Sequence, residues 1–262
     1  MSDSLVIVPT YNEKENIADI IQAVLNLPVP FHLLIVDDGS PDGTAEIVKS
    51  FIPESNGRLF IEERANKLGL GTAYIHGFNW ALRSNYKFIF EMDADFSHNP
   101  KDLIHLLNSC KEQGNDLAIG SRYITGVNVV NWPMSRVILS YLASLYVRFV
   151  TGLPVSDTTA GFKCYRREVL ETIDLDKIRF MGYAFQIEMK FLVWKYGFKI
   201  NEVPIIFTDR TRGESKLSGG IIKEAVFGVL QIKISSLFRN YRRDKALANA
   251  LVETDGLNRS NA

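Results

Sequence analysis

The chain has 262 residues, 46% of them hydrophobic, and its 30 basic and 30 acidic side chains cancel. That length and apolar content suit one α/β domain with an appended segment and exclude a chain disordered throughout, while the balanced charge excludes a global field toward nucleic acid. Cys110 and Cys164 are the only cysteines and lack metal-ligand spacing, which argues against a zinc site and for buried free thiols in a reducing compartment.

Met1-Ser2-Asp3-Ser4 runs into an apolar segment without a basic n-region, so the expectation is no secretory signal and a cytoplasmic protein. Apolar runs at Leu5 to Val8, Leu33 to Val36, Phe88 to Met92 and Leu117 to Ile119 alternate with helical patterns at Ile17 to Leu27, Thr44 to Phe51, Thr72 to Arg83 and Leu103 to Gln113. Strand followed by helix, repeated, implies right-handed crossovers and a mostly parallel sheet with helices on both faces. Ligands of such sheets gather at the carboxyl ends of the strands. The polar, turn-forming clusters fall there: Pro9-Thr10-Tyr11-Asn12-Glu13, Asp37-Asp38-Gly39-Ser40-Pro41-Asp42-Gly43, and the stretch from Asp93 to Pro100.

Asp37 and Asp38 can accept hydrogen bonds from a base edge or from ribose hydroxyls, and the glycines after them let backbone approach a ligand; Asp42 and Thr44 read as helix caps. Gly69-Leu70-Gly71 lacks the full dinucleotide fingerprint and reads as a turn that permits close packing, with Lys67 a phosphate neighbour. The most informative run is Glu91-Met92-Asp93-Ala94-Asp95. Alternation turns Asp93 and Asp95 to one side, where two hard oxygen ligands can meet a divalent cation that grips a diphosphate. The alternative is a solvated strand end with Asp95 turning the chain ahead of Pro100. Arg122, in Gly120-Ser121-Arg122, reads either as a phosphate clamp or as a structural ion pair.

From Val137 to Val150 nearly every residue is apolar, with Arg136, Ser140, Ser144 and Arg148 spaced four apart in one polar stripe; Ile221 to Phe238 repeats the pattern with Glu224, Gly228, Gln231 and Ser235. Charges interrupt runs shorter than the ~20 residues a span needs. The expectation is two amphipathic helices, about 134–150 and 219–238, lying on a membrane or packed on each other. Arg239, Arg242, Arg243 and Lys245 beyond them suit anionic headgroups, or else form a solvated basic exit. Between these segments, Asp209-Arg210-Thr211-Arg212-Gly213-Glu214-Ser215-Lys216 puts three cations in one loop, where they can neutralise a leaving group. Residues 246–262 read as a polar, disordered tail. His32, His76, His98 and His105 show no metal spacing, and no general base stands out, which suits an acceptor that is already an anion.

Together these motifs resemble the dolichol-phosphate mannose synthases, also called polyprenol monophosphomannose synthases, of the inverting GT-A glycosyltransferases. The resemblance runs from Val6 to about Leu217. It rests on Pro9 to Glu13, Val36 to Thr44, Asp93 to His98, Gly120 to Tyr123, Gly182-Tyr183-Ala184-Phe185-Gln186-Ile187-Glu188, and Asp209-Arg210 with Gly213 and Ser215-Lys216-Leu217. It implies a GT-A (Rossmann-like nucleotide-diphospho-sugar transferase) domain over residues 1–245, including the two interface helices. Pro9, Tyr11, Glu13, Val36 and Asp38 would surround the guanosine of GDP-mannose, and Asp93, Ala94 and Asp95 would hold the sugar diphosphate with Mg2+ or Mn2+. Arg122, Arg210 and Lys216 would contact phosphates and Arg136 the lipid phosphate, with Asp95, Arg210 and Lys216 catalytic.

The reaction so implied is mannose transfer from GDP-mannose to a polyprenyl phosphate with inversion, at the cytoplasmic face of a membrane, without nucleic acid, and in some relatives with a small membrane subunit. Many relatives that glycosylate hydroxyls carry a Glu-Asp base where this chain reads Phe185-Gln186-Ile187-Glu188, a departure that agrees with a phosphate nucleophile. The rivals are glucose transfer from UDP-glucose to the same lipid, a catalytically silent nucleotide-sugar-binding module at the membrane, and a hydroxyl-directed transferase that would need a base.

Overall fold

A computed structural model describes residues 2–210 and 220–241. Lys216, the basic residues Arg242, Arg243 and Lys245, and the expected tail 246–262 lie outside the described residues. In chain order the elements are β1 (Ser4–Thr10), α1 (Ile17–Leu25), β2 (His32–Asp37), α2 (Thr44–Phe51), β3 (Leu59–Glu63), α3 (Leu70–Leu82), β4 (Phe88–Glu91) and α4 (Asp102–Lys111). There follow β5 (Leu117–Ser121), β6 (Val129–Val130), α5 (Met134–Thr151), β7 (Lys163–Arg166), α6 (Arg167–Thr172), α7 (Tyr183–Lys195), β8 (Ile200–Pro204), β9 (Phe207–Thr208) and α8 (Gly220–Ser236).

The seven-stranded sheet has the order β3-β2-β1-β4-β7-β5-β8. Only β7 runs against its neighbours, β4 and β5, so the expected mostly parallel α/β architecture holds. β1 and β2 are apolar through Leu5–Val8 and Leu33–Val36 because both faces of the sheet are covered. Alternation sends Leu5, Ile7, Leu34 and Val36 into one core with Tyr74 and Phe78 of α3 and Phe185 of α7. Val6, Val8, Leu33 and Ile35 enter the other, with Ile17 and Ile20 of α1 and Leu103 and Leu106 of α4. Each such side chain is worth about 1.5–3 kcal/mol when buried, and a one-residue slip would exchange the two sets, which locks the register.

The chain passes from β1 through β2 to β3 on one side, and α3 then carries it back to β4 on the other side of β1. That reversal opens a crevice at the carboxyl ends of β1 and β4. The crossover is tight: a Cβ on Gly71 would stand 2.9 Å from the Phe185 ring, which is the close packing expected of the Gly69-Leu70-Gly71 turn.

Strands β3, β7 and β8 and helix α7 emerge without a strong sequence signal. β7 is four residues long and opens with a lysine, and β8 is a half-exposed edge strand with Asn, Glu and Pro in it. Helices α5 and α8 lie side by side, with the Tyr146 hydroxyl donating to the Val226 carbonyl at 3.0 Å and Lys233 Nζ to the Thr151 carbonyl at 3.4 Å. The polar stripe of α5 is partly turned inward: Ser144 is buried and Ser140 accepts from the Tyr123 hydroxyl at 2.8 Å. Met134, Ile138, Leu139, Leu142 and Phe149 are exposed instead, as are Phe227, Leu230 and Ile234 of α8. Among the described residues no helix is long and apolar enough to cross a membrane.

Candidate active site

The β1 and β2 ends form one wall of the crevice. Asp37 is buried and wholly committed to the turn, accepting from Thr10 Oγ1 at 2.8 Å, Ser40 Oγ at 2.6 Å and the Ser40 amide at 2.8 Å. Asp38 is also buried, with Arg64 Nε 2.7 Å and Nη2 2.5 Å from its Oδ1; Arg64 Nη1 reaches Thr72 Oγ1 at 2.9 Å. Gly39, which follows Asp38, has φ +68°, and a Cβ there would press on the Arg64 and Ala65 carbonyls at 3.1 Å. The N-cap of α2 is Gly43 and carries no side-chain cap, so Thr44 does not cap the helix as the sequence implies: its hydroxyl accepts from the Glu13 amide and donates to Asp42, whose carboxylate also accepts the Thr44 amide at the first helical position. Tyr11 lies under the Lys67 ammonium, 4.6 Å from ring centre to nitrogen, Pro9 sits beside it at the end of β1, and Glu13 accepts from Asn16 Nδ2. The Val36 side chain is in the core, so what Val36 offers the crevice is backbone.

Strand β4 stops at Glu91, so alternation does not bring Asp93 and Asp95 together as the sequence implies; the loop does. Its Phe96 has φ +58°, a left-handed conformation that costs a bulky residue about 1–2 kcal/mol. Asp95 is buried, accepts the Ser97 amide at 3.0 Å, and lies 2.9 Å from Arg210 Nη2. Burial pushes its carboxyl up, but Ser97 and the Arg210 guanidinium outweigh that and hold it below the ordinary value. Asp93 keeps 36% of its side-chain surface, yet desolvation and the charges of Asp95 and Glu91 push it up to about 7. Ala94 between them is buried. His98 lies flat on Phe162 and edge-on to Phe207, and burial brings its imidazole down to about 4, so it is neutral.

Two acids with crowded charge, an arginine standing as a counter-cation on one of them, and the buried Ser97 hydroxyl without a hydrogen-bond partner fit a divalent cation. No three His, Cys, Asp or Glu side chains form a cage among the described residues; a hard cation held by two carboxylates takes its other ligands from phosphate and water.

Arg122 is buried and forks onto Asp157 at 2.7 and 2.6 Å and onto Thr159 at 2.8 Å, which is the structural ion pair left open by the sequence. Arg136, at the head of α5, lies over Trp132 and bonds Asp209 at 2.8 Å. Beneath Asp93 the fully buried Glu91 and Lys163 pair directly across β4 and β7, 3.0 Å apart. Gln186 of α7 accepts from Lys163 and donates to Glu91, and the Glu188 carboxylate accepts the Arg179 and Phe180 amides. Arg64, Asp157 and Lys163 were not singled out from the sequence. For Lys163 a signal existed: a lysine in the run Phe162-Lys163-Cys164-Tyr165, like Glu91 in its own apolar run, demands a buried partner.

A model of the family "Glycosyl transferase family 2" matches residues 5–174. Polyprenol monophosphomannose synthase of Mycolicibacterium smegmatis is 47% identical over 228 residues, 87% of this chain and 86% of that protein. Undecaprenyl-phosphate mannosyltransferase of Micrococcus luteus is 42% identical over 238 residues, 91% of this chain and 97% of that protein. Among solved structures, glucosyl-3-phosphoglycerate synthase from Mycobacterium tuberculosis, in complex with Mn2+, UDP and glucosyl-3-phosphoglycerate, shares the fold at TM-score 0.63 and 18% identity, covering 87% of this chain and 79% of that one.

Proposed function

The chain belongs to glycosyl transferase family 2, and from that premise we propose that it transfers mannose from GDP-mannose to a polyprenyl phosphate with inversion at the anomeric carbon. Two relatives more than 40% identical are named for making polyprenol monophosphomannose and for transferring mannose with undecaprenyl phosphate. The observation that carries the acceptor class is the position of Gln186: its amide is spent on Glu91 and Lys163, and Glu188 is turned to backbone amides. Neither serves as a base, and a phosphate acceptor needs none, because it arrives ionised.

Asp93, Asp95 and the Ser97 hydroxyl would hold Mg2+ or Mn2+, which when bound supplies positive charge for the departing diphosphate. Pro9, Tyr11, Glu13 and the backbone of Val36 line the guanosine end, with Asp38 presented there by Arg64. An oxygen of the lipid phosphate forms the new bond to the sugar carbon as the bond to the GDP oxygen breaks, and no proton changes hands. Arg210 faces the phosphates, Lys216 is assigned beside it by its motif alone, and Arg136 meets the acceptor phosphate. Arg122 supports this wall through Asp157. Positioning and fixed charge do most of the work. The exposed apolar rows of α5 and α8 would rest on the membrane that carries the acceptor.

Radiolabelled GDP-mannose and UDP-glucose offered separately to a short polyprenyl phosphate in detergent, each with Mn2+ and with chelator, test the reading. The expected result is lipid-extractable product from GDP-mannose with metal only, lost by more than about hundredfold in Asp95→Ala with an unchanged circular dichroism spectrum. Product from UDP-glucose alone would replace mannose by glucose, and full activity of Asp95→Ala would remove Asp95 from the chemistry.

A further inference from the structure

We propose that Arg210 is a built-in counter-cation for Asp95, and that its exchange from this carboxylate to the donor diphosphate couples cation binding to nucleotide binding. The inference rests on the reading that Asp93 and Asp95 hold a divalent cation. Arg210 Nη2 stands 2.9 Å from Asp95 Oδ2, in a pair whose side chains are 26% and 9% exposed. Asp95 is withdrawn from water, so without a cation beside it the carboxylate would be an uncompensated, desolvated charge.

The placement of Arg210 is built by backbone. β6 and β9 pair as a short ribbon, the Thr208 amide donates to the Ser97 carbonyl at 3.2 Å, and the Asp209 amide to the Val130 carbonyl at 3.0 Å. The chain on which Arg210 is mounted is thus bonded to the loop that carries Asp95. The neighbouring acid, Asp209, accepts from the Arg136 guanidinium at 2.8 Å and from the Arg210 amide at 3.2 Å, so its charge is answered by Arg136 while the Arg210 guanidinium stands on Asp95.

A guanidinium and a divalent cation do not share one carboxylate oxygen without strong repulsion. A cation that takes Asp95 Oδ2, the oxygen Arg210 holds, competes with the guanidinium for it, and in this proposal Arg210 leaves and the ion pair is lost. The guanidinium fork fits phosphate oxygens as well as it fits a carboxylate, and a side-chain rotation with the backbone held in place brings it from one to the other. A nucleotide diphosphate that captures Arg210 removes the competitor for the cation. By linkage the cation then raises nucleotide affinity by the same factor.

The test measures Mn2+ affinity of the full chain by calorimetry, with and without GDP, for the wild type, Arg210→Gln and Arg136→Gln. Arg210→Gln is expected to bind Mn2+ alone about tenfold more tightly, the strength of a charge-assisted hydrogen bond, while the enhancement of Mn2+ binding by GDP shrinks. Arg136→Gln removes an equal charge beside Asp209 and should leave Mn2+ affinity within about twofold. Arg210→Gln no tighter than wild type overturns the exchange, and so does an equal gain in Arg136→Gln, which would make the effect one of general charge. Mn2+ bound by no variant, with or without GDP, overturns the metal reading and the exchange with it.

Discussion

Asp93 and Asp95 are two residues apart in the chain and behave as opposite kinds of acid. Asp95 is held ionised against burial by Ser97 and Arg210, whereas Asp93 takes the desolvation and the repulsion of Asp95 and Glu91. A carboxyl near 7 in the fold and 3.8 in the open chain keeps in the native state a proton that the unfolded state has already released. Between those values stability falls as pH rises. In chelator, the melting temperature of the wild type is therefore expected to climb as pH is lowered from about 7 to about 5, and Asp93→Asn to lose that part of the slope; parallel curves would place Asp93 at an ordinary value. The acid pair was legible in the sequence because two carboxylates closing an apolar run have few structural uses. Their partners were not. Arg64 on Asp38, Asp157 under Arg122 and Arg210 on Asp95 are pairings across the chain, and no spacing rule reaches that far.

At the scale of elements, α5 and α8 show a pattern that the sequence reveals without saying which way it faces. The four-residue spacing of Arg136, Ser140, Ser144 and Arg148 marks a polar stripe, but Ser140 and Ser144 turn toward the protein and leave an apolar surface outside. Phe149 is 91% exposed and Phe238 86%. Burying one such ring is worth about 1.5–3 kcal/mol, so Phe149→Asp is expected to weaken sedimentation with anionic vesicles by about tenfold or more, and Phe149→Asp with Phe238→Asp further. GDP binding, in which neither phenylalanine is assigned a part, should not change. Vesicle binding that survives the double substitution would leave this face without a lipid role. Helix positions were legible from periodicity, while orientation was not: Ser144 is small enough to pack inside, where its hydroxyl has no hydrogen-bond partner among the described residues, and its burial depends on what lies beneath.

At the scale of the molecule, β7 is the strand that sequence periodicity conceals and the fold cannot omit, since it joins β4 to β5 at the centre of the sheet. Its Lys163 stands directly opposite Glu91 with no solvent contact, and burial pulls the ammonium down while Glu91 pulls it back. Lys163→Met would strand the Glu91 charge in the core at about 3–5 kcal/mol, read as a lower denaturant midpoint. Lys163→Met combined with Glu91→Gln is expected to recover part of that loss, because no full charge is then left unpaired. Equal destabilisation in the single and double variants would mean that packing rather than charge holds β7 in place.

What the sequence determined by itself is what neighbours along the chain set: the strands β1, β2, β4 and β5, the helix periods, and the turns that collect polar residues, Asp93 and Asp95 among them, at strand ends. Those follow from side-chain alternation, helical pitch and the conformational habits of Gly, Asp and Pro, all of which act within a few residues. The tertiary structure alone decided which charges meet. Strand order puts Lys163 against Glu91, the β6–β9 ribbon carries Arg210 to Asp95, and α7 lays Gln186 over both members of the buried pair. Electrostatic pairing depends on distance in space, and that distance exists only once the sheet is assembled.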